Sequence, residues 1–204
     1  MTKAMTIAYE VDGGLYLNLT NRCSNRCEFC IRHNGDGAYG SDSLWLLREP
    51  TVDEVLEAVS KFDLVKYKEV VFCGYGEPSY RLYDCITVAK ELKKRHEGLK
   101  VRINTNGHSS LILDTDTAPL YKDAFDTVSI SLNTPTAQRY DEICHPVFKN
   151  SFEAILCFAK NVKNYVHSVL LSVVRQTLTE SELSECKKIA DECGVTLKIR
   201  ELIS

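Results

Sequence analysis

The sequence lacks the features that mark membrane proteins, secreted proteins and broadly basic nucleic-acid-binding proteins. It has no apolar run long enough to span a bilayer, and its N-terminus carries no signal peptide. The formal net charge of −3 over 204 residues provides no extended cationic field, although a local basic groove remains compatible with it. Linkers, low-complexity tracts and internal repeats are also absent. These absences favour a cytoplasmic protein with one domain, residues 1–204.

Cysteine, by contrast, is abundant. There are nine cysteines, an odd number that argues against a disulfide framework and favours a reducing compartment. Three of them, Cys23, Cys27 and Cys30, form a C-x3-C-x2-C cluster in a polar loop after an apolar strand. Thiolates this close repel one another unless a cation holds them, and such soft ligands suit zinc or an iron–sulfur cluster. A four-iron cluster usually takes four cysteines, so three would leave one iron open to an outside ligand.

The spacing of this cluster, with Phe29 directly before its last cysteine, resembles the signature of the radical S-adenosylmethionine (SAM) superfamily. The resemblance implies a [4Fe-4S] cluster on Cys23, Cys27 and Cys30, whose open iron binds the amino and carboxylate groups of SAM. It also implies reductive cleavage of SAM to a 5′-deoxyadenosyl radical. Phe29 becomes the candidate for stacking on adenine, with core filling as the alternative. Residues 19–32 resemble one subgroup in particular, the small radical SAM proteins associated with TatD-type nucleases.

A zinc site is the alternative interpretation of the same loop. Cys27, Cys30 and His33 could join Cys23 as ligands, because zinc sites use the same cysteine and histidine donors. The protein would then be a zinc- or iron–sulfur-binding module that senses redox state or recruits a partner without catalysis. The plant-type and bacterial ferredoxin spacings both differ from this one, so neither fits.

Apolar runs alternate with helical patterns along the chain and predict an α/β fold. A leading strand at 6–11 is expected to fold back through Asp12-Gly13 onto the first barrel strand at 15–19. Further strands are predicted at 70–72, 101–103, 127–132, 167–174 and 195–202, and helices at 52–66, 82–95, 116–124, 135–143, 151–163 and 180–193. This alternation indicates a parallel sheet, and the chain is too short for eight such units. The resemblance implies a partial (βα)6 barrel, with the glycine-rich run 34–40 as a flap.

The carboxyl ends of the predicted strands carry further motifs, and ligands bind at that edge of parallel sheets. After the second barrel strand comes Gly74-Tyr75-Gly76-Glu77-Pro78, where glycines allow the backbone to approach a ligand closely and Glu77 offers a carboxylate. This loop resembles the superfamily's Gly-Gly-Glu-Pro loop, which holds the SAM ammonium through backbone carbonyls. Tyr75 replaces the usual first glycine of the pair. Gly74, Tyr75, Gly76 and Glu77 are therefore predicted to bind the cofactor.

Two later strand ends add polar candidates. Asn104 and Thr105 lead into a turn that resembles the superfamily's Thr-Asn-Gly turn, near the SAM carboxylate and ribose. Ser131 and Asn133 share one face of the next strand. The resemblance implies that Ser131 contacts SAM. Asn133 either binds the ribose or caps the following helix.

Residues in the last third of the chain leave alternatives open. Arg175, after the fifth barrel strand, is either a carboxylate partner in the cofactor site or an ordinary exposed side chain. Arg200 and Glu201, at the end of the sixth barrel strand, are either polar residues of the site or an ordinary ion pair in solvent. Cys144, which precedes His145, is either an activated thiol at the barrel mouth or a buried small side chain.

The sequence therefore predicts a radical SAM enzyme that abstracts hydrogen from an unidentified substrate. It does not distinguish a small molecule, a peptide and a nucleic acid as that substrate, and it identifies no catalytic acid, base or radical donor. The expected partners are an electron donor such as flavodoxin or ferredoxin and, through the resemblance, a TatD-type nuclease. No membrane partner is expected.

Overall fold

The sheet begins with the predicted hairpin. In the computed structural model, which describes residues 2–202, β1 (Ala8–Val11) pairs antiparallel with β2 (Gly14–Leu17). Asp12 and Gly13 join them with φ values of 46° and 80°, the left-handed conformations that a tight hairpin turn requires. The leading strand that folds back on the first barrel strand is thus confirmed.

The remaining strands extend the sheet in the order of the chain. They are all parallel to their neighbours and comprise β3 (Val70–Phe72), β4 (Val101–Thr105), β5 (Thr127–Ser131), β6 (Ser168–Val174) and β7 (Thr196–Arg200). The seven strands form one open sheet with β1 and β7 at its edges. Strands β2 to β7 are the six strands of the predicted partial barrel, which is confirmed.

Helices lie between the strands, largely where the apolar periodicity predicts them. They are α1 (Val52–Ser60), α2 (Leu82–Arg95), α3 (Ser109–Leu113), α4 (Ala137–Cys144), α5 (Ser151–Val162) and α6 (Glu180–Cys193). Thr51 begins α1 with a capping box to Glu54, and Gly194 ends α6 in the left-handed conformation. Within residues 2–202, no helix is long and apolar enough to cross a membrane.

Two predicted helices are shorter than their apolar patterns indicate. Helix α1 ends at Ser60 rather than at residue 66, because Asp63 accepts a backbone hydrogen bond and begins a separate 3-10 turn at Leu64–Lys66. Segment 116–124 holds only the 3-10 helix Ala118–Tyr121, and the left-handed φ of 62° at Asp123 prevents its continuation. The short helix α3 was not predicted.

Alternate residues along the strands face two different environments. One face packs apolar side chains against the helices in the main core, including Leu15, Leu17, Val70, Phe72, Val101, Ile103, Val128 and Ile130. The other face lines a cavity with mostly polar side chains, including Arg102, Asn104, Ser129, Ser131, Ser172 and Arg200. Parallel strands buried on both faces are usually apolar throughout. The polar inner face therefore distinguishes this cavity as the candidate functional site.

Candidate active site

The cavity has a volume of about 220 Å³ and lies at the carboxyl ends of the parallel strands. Its lining includes the thiols of Cys23, Cys27 and Cys30, all partly exposed. It also gathers most of the predicted cofactor-binding residues, namely Phe29, Gly74, Tyr75, Gly76, Glu77, Asn104, Thr105, Ser131 and Asn133. Phe29 packs against the main core as well, so its two proposed roles are compatible.

The cysteine loop is held against the C-terminal end of α4 by backbone hydrogen bonds. The Arg26 N–H donates to the Cys144 carbonyl over 2.9 Å, and the Glu28 N–H donates to the Ile143 carbonyl over 3.0 Å. The last turn of a helix leaves such carbonyls without partners inside the helix. The loop therefore obtains its shape from an element far along the chain.

The environment of the three thiols favours their protonated forms. Burial, with a further contribution from the Glu77 carboxylate, raises the pKa of Cys23 to about 12. Burial also raises the pKa of Cys30, whereas the pKa of Cys27 is raised first by a hydrogen bond with the Cys144 thiol and then by burial. Binding of a cation must therefore displace protons from these thiols.

The arrangement of the thiols bears on the kind of metal centre they suit. Among residues 2–202, no three His, Cys, Asp or Glu side chains are grouped so that they could hold one metal ion. A single zinc ion requires its ligands within about 2.0–2.3 Å of one point. The expected zinc ligand His33 does not line the cavity, and its Nδ1 lies 3.4 Å from the Glu28 carbonyl oxygen. A four-iron cluster is held by cysteine thiolates, so the donor set of this loop is chemically compatible with one.

The glycines of the loop after β3 allow a close approach within the protein itself. A Cβ atom built on Gly76 would lie 2.2 Å from the Thr20 carbonyl oxygen and 2.7 Å from that of Arg22. One built on Gly74 would lie 2.1 Å from the Asn18 Oδ1. The sequence predicts that the two glycines leave room for a ligand. The structure shows that both glycines are needed for the loop to pack against β2 and the cysteine loop, while they also line the cavity.

Tyr75, the departure from the superfamily's glycine pair, fastens the glycine-rich flap. Its hydroxyl lies 2.9 Å from the carbonyl oxygens of both Gly35 and Gly37. Its ring meets Trp45 edge-on with the centroids 5.2 Å apart, within a small apolar cluster separate from the main core. The substitution therefore connects the loop after β3 to the flap beside the cavity.

Glu77 connects the ends of two strands. Its Oε1 accepts hydrogen bonds from the Ser79 N–H and the Thr105 hydroxyl, over 3.0 and 2.7 Å, and its Oε2 accepts one from the Asn106 N–H over 2.6 Å. Burial raises the pKa of this carboxyl, and the donors oppose that effect. The carboxylate is occupied by the protein, so Glu77 positions the loops after β3 and β4 relative to each other.

A buried hydrogen-bond network beneath the cysteine loop escaped sequence reasoning. The Ser24 hydroxyl accepts from Asn106 Nδ2 over 2.7 Å and lies 3.0 Å from His108 Nδ1. Asn25 Nδ2 donates to the Tyr140 hydroxyl over 2.7 Å, and that hydroxyl lies 3.4 Å from His108 Nε2. Burial lowers the pKa of His108 to about 4, which leaves it neutral at pH 7. The one local sequence signal for His108 is its position directly after the Thr-Asn-Gly turn.

Asn133 lies at the end of β5 in the left-handed conformation, with φ 64°. Its Nδ2 donates to the Cys144 sulfur over 3.4 Å, whereas its buried Oδ1 has no partner within residues 2–202. Thr136, not Asn133, caps α4 by accepting from the Arg139 N–H, so the capping alternative is wrong. Cys144 is fully buried and does not line the cavity, which fits its interpretation as a buried side chain.

Arg175 and Arg200 differ in whether they line the cavity. Arg175 lies outside the lining and pairs with Glu180 over 2.5 Å, so it is no part of the cofactor site that the structure describes. Arg200 lines the cavity, and the alternative ion pair with Glu201 is not formed within residues 2–202. Glu201 instead accepts a hydrogen bond from Gln176 over 2.5 Å. The pattern could not predict this, because the inward face of β7 depends on its register with β6.

Comparison with known proteins decides the family. The model of the Radical SAM superfamily matches residues 17–189, which is most of the chain. The chain belongs to the radical SAM superfamily. Enzymes of this superfamily use a [4Fe-4S] cluster and SAM, so the predicted superfamily is confirmed together with the cofactors that it uses.

Individual relatives have low sequence identity to this chain. A GTP 3′,8-cyclase from Clostridium perfringens is 26% identical over 191 residues, covering 93% of this chain and 55% of its own. A tungsten-containing aldehyde ferredoxin oxidoreductase cofactor-modifying protein from Pyrococcus furiosus is 28% identical over 187 residues, covering 89% of this chain and 49% of its own. Streptococcus suis SuiB bound to S-adenosylmethionine matches with a TM-score of 0.63 at 15% identity, covering 93% of this chain and 40% of that one. The chain spans about half the length of the curated relatives it matches.

Proposed function

We propose that the protein is a radical SAM enzyme in which Cys23, Cys27 and Cys30 hold the [4Fe-4S] cluster and the neighbouring strand ends hold SAM. The chemistry that the two cofactors supply is reductive cleavage of SAM to methionine and a 5′-deoxyadenosyl radical, which abstracts hydrogen from a substrate. The observation that carries the proposal is the convergence of three partly exposed thiols with the loops after β3, β4 and β5 on one cavity. Residues 1–204 are the radical SAM core domain in this proposal.

The remaining cavity residues are proposed to hold and orient SAM. Backbone carbonyls of Gly74, Tyr75 and Gly76 receive the ammonium group, and Phe29 supplies an apolar face for adenine. Unpartnered polar atoms in the lining support a polar ligand, because buried polar groups are nearly always hydrogen-bonded in a complete site.

Asn104 and Asn133 are two such cases. The Oδ1 atom of each is buried without a partner within residues 2–202. Together with Thr105 and Ser131, which also line the cavity, they are proposed to accept and donate hydrogen bonds at the SAM ribose and carboxylate.

Two proteins are proposed as partners of the reaction. A cytoplasmic flavodoxin or ferredoxin is the proposed electron donor, since the reduced cluster must be regenerated from outside the chain. The likeness of residues 19–32 to small TatD-associated radical SAM proteins supports a functional link to a TatD-type nuclease. Co-purification of the two proteins, followed by comparison of 5′-deoxyadenosine formation with and without the nuclease, tests that link.

The central test is separate replacement of Cys23, Cys27 and Cys30 by Ala, followed by anaerobic reconstitution. Each variant should lose the four-iron content and the formation of 5′-deoxyadenosine from SAM under reducing conditions, because a cluster missing a ligand is not held. The matched control is Cys157→Ala, since Cys157 is exposed on α5 away from the cavity. This control should retain iron and activity.

Metal analysis separates the competing interpretations. About four irons per chain in the native protein supports the cluster. Retention of full SAM cleavage by any of the three ligand variants would remove that cysteine from the ligand set. One tightly bound zinc ion per chain, with no iron uptake and no SAM cleavage, would instead establish the non-catalytic module.

A further inference from the structure

Two arginines line the far side of the cavity from the cysteine loop, although the net charge of the whole chain is −3. They are Arg102 on β4 and Arg200 on β7. Glu201 also lines the cavity, but its carboxylate accepts a hydrogen bond from Gln176. The two guanidinium groups are therefore the candidate partners for an anionic ligand in this lining.

Arg102 already has a counter-ion. Its Nη2 lies 2.8 Å from the Glu69 carboxylate and donates to the Tyr16 hydroxyl over 3.2 Å. The side chain is buried, and its Nε has no hydrogen-bond partner within residues 2–202. One edge of this guanidinium is thus satisfied by the protein, whereas the buried Nε–H has no partner.

Arg200 forms no ion pair with a carboxylate in the part of the chain that the structure describes. Its side chain is half-buried, and its Nε is buried without a hydrogen-bond partner. A guanidinium remains charged in proteins, and withdrawing such a charge from water without a partner is unfavourable. The cavity therefore offers Arg200 as a partner to an anion.

We infer that the substrate carries an oxyanion group, a carboxylate or a phosphate, that binds to Arg200, with Arg102 adding charge. This inference rests on the proposed function, because it names the substrate class of the same site. The planar guanidinium matches the geometry of both groups through paired N–H donors. SAM also carries a carboxylate, but Arg200 lies on the edge strand β7, whereas the cysteine loop follows β2 near the opposite edge of the sheet. The inference therefore takes the substrate as the source of the anion.

The test compares Arg200→Gln with native protein by calorimetric titration of inorganic phosphate and of malonate, in the presence of saturating SAM. Loss of charge-assisted hydrogen bonds should weaken binding of the preferred anion by about tenfold or more. The phosphate and malonate arms distinguish a phosphorylated substrate from a carboxylate substrate. Arg200→Lys keeps the charge without the paired donors and should fall between the two.

Arg95→Gln is the matched control, because Arg95 is exposed on α2 and pairs with Glu91 over 2.7 Å. It should bind both anions as native protein does. Titrating SAM into Arg200→Gln should give an affinity within about twofold of native, since no SAM contact is assigned to Arg200. Thermal unfolding of each variant verifies that it is folded.

Three results would overturn the inference. The first is unchanged binding of both anions by a folded Arg200→Gln variant, and the second is failure of native protein to bind either anion. The third is a tenfold loss of SAM affinity with anion binding unchanged, which would assign Arg200 to the SAM carboxylate. The anion titrations are repeated before cluster loading, so a failure of the cluster proposal is seen separately in the iron content.

Discussion

The two sides of the cavity differ in how their polar groups are satisfied. On the side of the cysteine loop, Glu77 receives three hydrogen bonds from the protein, and His108 has a neighbour at each ring nitrogen. On the side of β5 and β7, Asn133 Oδ1 and Arg200 Nε are buried without partners within residues 2–202. The first side is mostly bonded within the protein, with the buried, unpartnered Asn25 Oδ1 of the loop as an exception, and the second resembles a site prepared for ligands.

This difference indicates which parts of the cavity are stabilised by the protein itself and which need a ligand. Hydrogen bonds between loops fix the position of the cysteine loop before any ligand binds, which is the preorganisation that a reactive site requires. Unpartnered buried groups cost free energy in the empty protein, and a ligand that supplies partners recovers that cost. Substitutions on the side of the cysteine loop should therefore reduce stability and binding together, whereas those on the side of β5 and β7 should affect binding selectively.

The largest effect is expected for Gly76→Ala. The new Cβ would collide with the backbone carbonyl of Thr20, and a backbone clash of this kind cannot be relieved by a side-chain rotation. The free energy of unfolding, measured with urea, should fall by about 3 kcal/mol. SAM affinity should fall as well, because the loop would move away from the cysteine loop.

Gly98→Ala is the control for this substitution. Gly98 has φ 80° but its Cβ would meet nothing within 4 Å, so the change adds backbone strain without a clash. Its cost should be about 1 kcal/mol, with SAM binding unchanged. Equal losses of stability in the two variants would contradict the assigned role of Gly76 in packing the loops.

An intermediate effect on the free energy of unfolding is expected when the pH is lowered, through His108 in the buried network beneath the cysteine loop. Because the pKa of His108 is lowered to about 4, the unfolded chain takes up a proton at this residue before the native protein does. Stability conferred by the neutral imidazole is therefore lost as the pH falls from about 6.5 to about 4, by about 2–3 kcal/mol. The excess stability of native protein over His108→Gln should shrink by that amount across this range.

Urea unfolding at several pH values measures the change. His96→Gln is the control for loss of an imidazole, since His96 is exposed at the end of α2 and lies outside the buried network. A constant difference for His108→Gln would mean that His108 does not remain neutral in the folded protein.

The smallest effect is expected for Arg175→Gln. Arg175 lies outside the cavity lining, and its pair with Glu180 is largely exposed. The free energy of unfolding should change by less than about 0.5 kcal/mol, and SAM affinity by less than about twofold. A tenfold loss of SAM affinity would return Arg175 to the cofactor site and weaken the distinction between the two sides.

Strands, helix starts and loops that depend on neighbouring residues could be predicted well from the sequence. The apolar runs place β3 and β5 correctly, and the Thr51 capping box marks the start of α1. The cysteine motif and the loop after β3 are each one continuous stretch of sequence that follows a strand. Their position at the same edge of the sheet could therefore be predicted from the strand order.

The remaining features depend on contacts between distant residues. Ser24 and His108 are separated by 84 positions and Asn25 and Tyr140 by 115, so no local pattern joins them. The inward direction of Arg200 is set by the pairing of β7 with β6, where a shift of one residue would turn it outward. Sequence reasoning thus identified the loops but not the network that supports them.

The attachment of the cysteine loop to α4 has a consequence for biosynthesis. The loop is synthesised before Ile143 and Cys144, whose carbonyls hold it. During translation it must therefore wait for these distant partners. The native shape of the cysteine loop consequently forms only after α4 has been synthesised.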